Sequence, residues 1–182
     1  MSEKIDFSDL RFLVVDDNQH VRRIVRTLLH GFGVREVYEA GDGAAGLDAV
    51  QNFLPDFIIT DWVMPLFDGL EFVQMIRQPD STLNPYVPII MLSAHSERHR
   101  VLQARDAGVN DFLCKPISAK SLHQRISAIL LNPRPFIRAT SYFGPDRRRQ
   151  TSGPAYRGAE RREKQIGMIE IDSPISRQSV SA

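Results

Sequence analysis

Hydrophobic residues along this 182-residue chain come in short, nearly unbroken runs, separated by longer stretches in which they recur every three or four positions. That change of period sorts the chain into strands and helices. Leu10-Arg-Phe-Leu-Val-Val15 stops at two aspartates and reads as a strand buried on both faces of a parallel sheet. After Asn18, the residues Val21, Ile24, Val25, Leu28 and Leu29 fall at helical spacing, with Gly31 as a stop. They predict an amphipathic helix over 19–30, with Arg22, Arg23 and Arg26 mostly facing solvent. Next comes a strand from Val34 to Glu39, then a helix from Gly43 to Phe53 capped by Asp42, with Leu47, Val50 and Leu54 facing inward. Phe57 to Thr60 is the third strand and Phe67 to Arg77 the third helix. A loop from Gln78 to Val87 leads to the strand Pro88-Ile-Ile-Met-Leu-Ser93. Glu97 to Ala107 is a weaker helix, Asp111 to Cys114 a short strand, and Ser118 caps a last helix with Leu122, Ile126, Ile129 and Leu130 on its buried stripe.

Strands alternating with helices in this way require right-handed crossovers and give a doubly wound α/β sheet. Such sheets hold ligands beyond the carboxyl ends of their strands, where strand order reverses. In this chain those ends carry Asp16 and Asp17 after the first strand, Asp61 after the third, Ser93 at the end of the fourth and Lys115 after the fifth. Carboxylates gathered so closely raise one another's pKa unless a cation neutralises them. An all-oxygen site suits a hard divalent ion, Mg²⁺ or Mn²⁺. With such an ion bound, one carboxylate can attack phosphorus while metal and lysine balance the charge on the phosphoryl oxygens. Taken singly, Asp16 and Asp17 also fit a helix N-cap pair, and Ser93 an ordinary strand-end hydroxyl. Trp62 reads as a solvent-facing aromatic beside the site, as often mere packing as a functional contact, and Cys114 as a small buried hydrophobe. The histidines are scattered; His95 and His99 share a helical face and read as solvent-exposed rather than metal-binding.

Composition narrows the class. A hydrophobic share of 42% fills one core, and a single cysteine excludes an internal disulfide or a CxxC pair, so a reducing, cytoplasmic setting is expected. No apolar run approaches the ~20 residues that span a bilayer. The net charge of +1 hides an asymmetry: residues 1–133 hold 13 Lys+Arg against 17 Asp+Glu, and residues 134–182 hold 10 against 5. An acidic domain therefore carries a basic, anion-binding extension.

Asp16-Asp17, Asp61-Trp-Val-Met-Pro65 with Asp68-Gly69, Ser93-Ala94 and Lys115-Pro116 together resemble the signature of the receiver (response regulator) family, CheY-like single-domain type, over residues ~10–131. The resemblance implies a flavodoxin/CheY-like sheet of order 2-1-3-4-5, a receiver domain over 8–131 and a basic tail over 132–182. It implies that Asp61 is phosphorylated by a sensor histidine kinase or phosphotransfer protein, making the chain a self-phosphorylating switch rather than an enzyme. Asp17, Asp61 and the carbonyl of Val63 would hold Mg²⁺, with Asp16 in support. Lys115 would pair with the carboxylate and then the phosphoryl group, Ser93 would bond a phosphoryl oxygen, and Phe112 would be the switch aromatic that re-shapes the surface of the last helices. A cis peptide is expected before Pro116. Val63 and His95 stand two positions beyond the acceptor and the switch hydroxyl, where side chains shield or position the attacking water.

Beyond Leu131, Asn-Pro-Arg-Pro ends the last helix. A repeat follows at a spacing of fourteen: Tyr142-Phe-Gly-Pro-Asp-Arg-Arg148 and Tyr156-Arg-Gly-Ala-Glu-Arg-Arg162. With few apolar residues the tail is expected to be mostly disordered or loosely docked. Arginine, tyrosine and glycine suit planar anions, because guanidinium groups pair bidentately with phosphate or guanine and stack on bases. The tail resembles the arginine-rich extension of CheY-like proteins that bind cyclic di-GMP, notably in Phe143-Gly-Pro-Asp-Arg-Arg-Arg149. Its implied ligand residues are Tyr142, Phe143, Asp146, Arg147, Arg148, Arg149, Tyr156, Arg157, Glu160, Arg161 and Arg162, and its implied target lies in the flagellar motor or attachment machinery. The alternatives are a plain phosphorelay shuttle with a non-specific tail and a nucleic-acid-binding regulator; no helix-turn-helix follows the receiver. Residues 165–182 leave both a short strand and docking on the domain open.

Overall fold

A computed structural model describes residues 5–79, 83–94, 97–139 and 142–147, and the backbone of 167–169. Five parallel strands, β1 (Arg11–Val15), β2 (Glu36–Ala40), β3 (Phe57–Asp61), β4 (Ile89–Ser93) and β5 (Asp111–Cys114), form a sheet of order β2-β1-β3-β4-β5. The helices between and after them are α1 (Gln19–Gly31), α2 (Gly43–Phe53), α3 (Gly69–Ile76), α4 (Arg98–Ala107) and α5 (Ala119–Leu131). This is the expected doubly wound fold.

Side chains alternate across the sheet because successive residues of a strand face opposite ways. Leu13, Val15, Ile58, Ile89 and Met91 point to one face, where Val50 of α2, Phe72, Val73 and Ile76 of α3 and Ala104 of α4 cover them. Phe12, Val14, Phe57, Ile59, Ile90 and Leu92 point to the other, against Val25 and Leu29 of α1 and Leu122 and Ile126 of α5. Every residue of β3 and β4 is therefore buried. That is why these strands are written as continuous apolar runs.

Several local expectations are corrected. Leu54 is not inward: it forms the αL C-cap of α2 at φ +47° and is 59% exposed. Ile24 points to solvent from α1. The second strand starts at Glu36, two residues late, because Gly33 turns the chain at φ +100° and Val34 is spent on a contact under α1, its N–H donating to Leu29 O. The third helix starts at Gly69 rather than Phe67, where Asp68 and Glu71 form a reciprocal capping box.

The tail differs most from expectation. β6 (Phe136–Ala139) and β7 (Tyr142–Pro145) form an antiparallel hairpin, and β8 (Gly167–Ile169) pairs with β6 on its other edge. Of the two readings left open for residues 165–182, the short strand holds for 167–169. Phe136 and Phe143 are buried against each other and against Tyr86, with ring centroids 5.2–5.7 Å apart. Burying rings of this size contributes roughly 2–3 kcal/mol each. Together with the backbone pairing of β6 to β7 and β8, this burial anchors the hairpin on a preformed surface. Gly108 makes the approach possible: it ends α4 at φ +97°, and a Cβ there would lie 3.0 Å from the Arg77 Cγ and 3.2 Å from the Phe143 carbonyl oxygen.

Candidate functional site

At the carboxyl end of β1, the Asp16 N–H donates to Ala40 O (3.2 Å), and its carbonyl accepts from Arg22 Nη1 at 2.6 Å. The Asp16 carboxylate is fully buried; Oδ1 accepts from Asn18 N (2.8 Å) and Oδ2 from Lys115 Nζ (2.9 Å). The N-cap of α1 is Asn18, whose side chain accepts from His20 N. Neither aspartate is used for capping, which disposes of the bland reading of the pair. Asp17 is exposed beside its neighbour.

Asp61 ends β3 and is 7% exposed. Its Oδ1 lies 2.8 Å from Lys115 Nζ. Two backbone bonds fix the chain around it: Trp62 N–H donates to Leu92 O (2.9 Å), and Gly69 N–H donates to Trp62 O (2.8 Å). Gly69 must be glycine, since a Cβ there would sit 2.0 Å from the Asp61 carbonyl oxygen. The N-terminus of α3 is thus drawn against the end of β3. Ser93 is buried at the end of β4, and its carbonyl accepts from Lys115 N–H at 2.8 Å, which seats the lysine over β3. The Lys115–Pro116 bond is cis, as expected.

One carboxylate oxygen from each of Asp16, Asp17 and Asp61 falls within a single 4.8 Å cluster. Three carboxylates face one ammonium here, an excess of negative charge in an all-oxygen environment. Those donors fit a hard divalent cation such as Mg²⁺ or Mn²⁺. Burial raises the pKa of Asp61, with Asp16 adding to the rise and Lys115 opposing it. Burial would lower the Lys115 pKa, but Asp61 and Asp16 together raise it. The lysine therefore stays charged where it meets both acids.

Val63 projects its side chain into solvent at 60% exposure. Trp62 is buried rather than solvent-facing, because the strand-like bond at its N–H turns the ring inward; Phe112 packs on it edge-on at 6.1 Å, and the Arg100 guanidinium lies 5.5 Å from its centroid. The expected switch aromatic is half-buried in this contact. Cys114 is half-buried rather than buried. His95 lies outside the described residues, and His99 is exposed, 3.4 Å from Glu97.

The described tail candidates, Tyr142, Phe143, Asp146 and Arg147, stand at the opposite end of the sheet. The Phe143 ring is spent on packing with Tyr86 and Phe136. Tyr142 donates its hydroxyl to Pro145 O at 2.7 Å and is covered by Arg147, 3.4 Å from the ring centroid. Arg147 also reaches Asp106 of α4, at 3.1 Å to Oδ1. Asp146 closes the hairpin through its N–H to Pro135 O (2.8 Å). Arg148, Arg149, Tyr156, Arg157, Glu160, Arg161 and Arg162 lie outside the described residues.

Sequence reasoning missed Arg77. Its guanidinium is buried and donates to Gly108 O (2.9 Å), Pro85 O (2.7 Å) and Asn110 Oδ1 (3.0 Å), with Phe136 5.3 Å away. A lone arginine at a helix end ordinarily reads as a cation on the dipole. Only its partners, far along the chain, reveal it as the joint between α3, α4 and the hairpin.

Comparison with known proteins bears on this geometry. Residues 12–127 match the family model described as the response regulator receiver domain. The chain is 33% identical over 127 residues to chemotaxis protein CheY-3 of Vibrio cholerae, covering 70% of this chain and 96% of that protein. It is 34% identical over 120 residues to chemotaxis protein CheY of Pseudomonas aeruginosa, covering 66% and 95%. The solved structure of chemotaxis response regulator CheY4 of Vibrio cholerae superposes with a TM-score of 0.61 at 29% identity, over 66% of this chain and 98% of that one. The family match ends before the hairpin.

Proposed function

This chain belongs to the response regulator receiver domain family, a CheY-like component of two-component signalling, and from that premise we propose that Asp61 is its phosphoryl acceptor. The observation that carries the reading is the placement of Lys115 Nζ 2.8 Å from Asp61 Oδ1 and 2.9 Å from Asp16 Oδ2. A carboxylate oxygen of Asp61 attacks the phosphorus of a phosphohistidine on a kinase or phosphotransfer protein. A P–O bond forms, the P–N bond breaks, and its electron pair returns to the imidazole nitrogen. Lys115 would follow the charge from the carboxylate to the phosphoryl oxygens, and the Ser93 hydroxyl would donate to one of them. Asp17, Asp61 and the Val63 carbonyl, supported by Asp16, would hold Mg²⁺, which when bound supplies charge neutralisation for the incoming phosphoryl group. Phe112, packed on Trp62, would then respond to the movement of Ser93 and alter the face of α4, β5 and α5.

Asp61→Asn tests this directly. Wild-type protein with Mg²⁺ should take label from acetyl phosphate, and the variant should take none; label retained in the variant overturns the assignment. Chelation of the metal should abolish labelling of the wild type as well.

The tail reading extends the first: arginines with Tyr142 and its repeat partner Tyr156 bind cyclic di-GMP, and this modulates docking to a target such as the flagellar motor, within the cytoplasm. Its support is the seven-residue repeat and the Tyr142–Arg147 stack. Calorimetry of cyclic di-GMP against the intact chain should give saturable heat that survives moderate salt; heat that merely follows ionic strength would favour non-specific anion binding.

A further inference from the structure

Between the hairpin and the carboxyl ends of α3 and α4 lies a cavity of about 420 Å³, lined among the described residues by Gln74, Arg77, Gln78, Asp106, Arg138 and Tyr142. Its size falls within the range of small-molecule sites, roughly 300–1,000 Å³. Charge decides what it would hold. The Arg77 guanidinium is 4% exposed, and its three acceptors are neutral. Burial pulls its pKa down to about 9, which leaves it charged at neutral pH. Arg138 adds a second guanidinium with no ion pair among the described residues. The one acid of the wall, Asp106, is already held by Arg147 at 3.1 Å and Arg105 at 3.4 Å. Among the described residues the cavity wall thus carries two guanidinium groups, Arg138 exposed and Arg77 buried, and one acid that is already paired. Gln74 on α3 and Gln78, just past its C-cap Arg77, are both exposed and present amides that both donate and accept.

We infer that this cleft is the receiver-side half of a nucleotide site, taking a phosphate-bearing purine whose phosphate meets the exposed Arg138 in the positive field of the buried Arg77 and whose base meets Gln74 and Gln78. The inference rests on the proposed reading of the tail as a cyclic di-GMP binder, and it moves the site from the arginine repeat alone to the joint between tail and receiver. Part of the tail's first repeat copy already borders the space: Tyr142 lines it, and Arg147 covers the other side of that ring.

The test uses the full chain and places negative charge at the carboxyl end of α3, where no residue of the tail is altered. Gln74→Glu with Gln78→Glu should weaken cyclic di-GMP binding at least tenfold in calorimetry. An equal charge added on α2, at the exposed positions Gln51→Glu with Asn52→Asp, should change it less than twofold at the same ionic strength. Equal effects from both pairs, or wild-type affinity in the Gln74 and Gln78 pair, overturn the cleft and leave the tail reading standing. If the wild type gives no heat with cyclic di-GMP, that reading fails, and GMP titrated into the same three proteins decides the cleft alone. Loss confined to the Gln74 and Gln78 pair upholds it; absence of heat from GMP overturns it.

Discussion

At the carboxyl end of the sheet Lys115 lies between two carboxylates, 2.8 Å from Asp61 and 2.9 Å from Asp16. At the opposite end Arg77, more deeply buried, has only carbonyl and amide oxygens as acceptors among the described residues. The first arrangement gathers more negative charge than the lysine cancels; the second leaves a positive charge whose partners carry only dipoles. A site with surplus carboxylates draws a cation and a phosphoryl group that arrives with it. A joint with a surplus guanidinium draws an anion, or serves as a rivet that holds a hairpin by hydrogen bonds alone. The sheet therefore separates two kinds of chemistry by its own polarity, with its β-strands' carboxyl ends at one site and their amino ends at the other.

The strongest way to break this comparison is to remove the unpaired cation. Arg77→Met leaves Gly108 O and Pro85 O without this donor, while Asn110 Oδ1 keeps the Ile89 N–H, and unsatisfied buried acceptors cost about 1–3 kcal/mol each. A loss of about 3–5 kcal/mol is expected, read as a lower urea midpoint at unchanged slope. A loss under about 1 kcal/mol would show that the rings, not the guanidinium, organise the joint. At the other end, Lys115→Met should slow the proposed phosphorylation by ~10²–10³ while leaving the fold intact. It should also move the acid limb of the rate profile upward, because Lys115 is what restrains the burial-raised pKa of Asp61.

That raised pKa has a consequence for stability. With the native value above the ordinary 3.8, the folded protein keeps a proton that the unfolded chain has released. Metal-free stability should then fall as pH rises through that window, the reverse of a salt-bridged acid. The trend should vanish in Asp61→Asn; its persistence would place the titration elsewhere. A smaller effect is expected from Phe143→Ala, about 2 kcal/mol, since the ring is packed at the edge of the domain rather than its centre. Hydrogen exchange should speed in β6 and β7 and leave β3 protected.

The same contrast separates what the sequence discloses from what it hides. Strands β3 and β4, the bounds of α2 and β5, and the acidic and basic strand ends are visible because they are written locally, as apolar runs, caps and a residue following a run. Asp68 and Glu71 also carried a local signal, the capping-box spacing, which would have placed the start of α3 correctly. The hairpin was hidden because its core sets Phe136 and Phe143 against Tyr86, fifty or more residues earlier in the chain. None of them stands in a periodic apolar pattern that would point to the others. Trp62 was misread for a related reason: the direction of its ring depends on a bond to the neighbouring strand, its N–H to Leu92 O.

The smallest expected effect sharpens the comparison most. Arg147 meets Asp106 at the surface, where the two side chains are 33% and 51% exposed, so solvent screens the pair heavily. Asp106→Asn should cost about 0.5–1 kcal/mol and lose its effect as salt is raised. Arg147 would still donate to the Asp106 carbonyl at 3.1 Å and still cover the Tyr142 ring, so the hairpin should remain in place, as judged by its hydrogen exchange. A cost above about 2 kcal/mol, insensitive to salt, would mean that the hairpin hangs from an ion pair after all. The basal joint would then resemble the carboxyl-end site, with Arg147 and Asp106 taking the part that Lys115 and Asp61 play there, and the division of labour between the two ends of the sheet would fail.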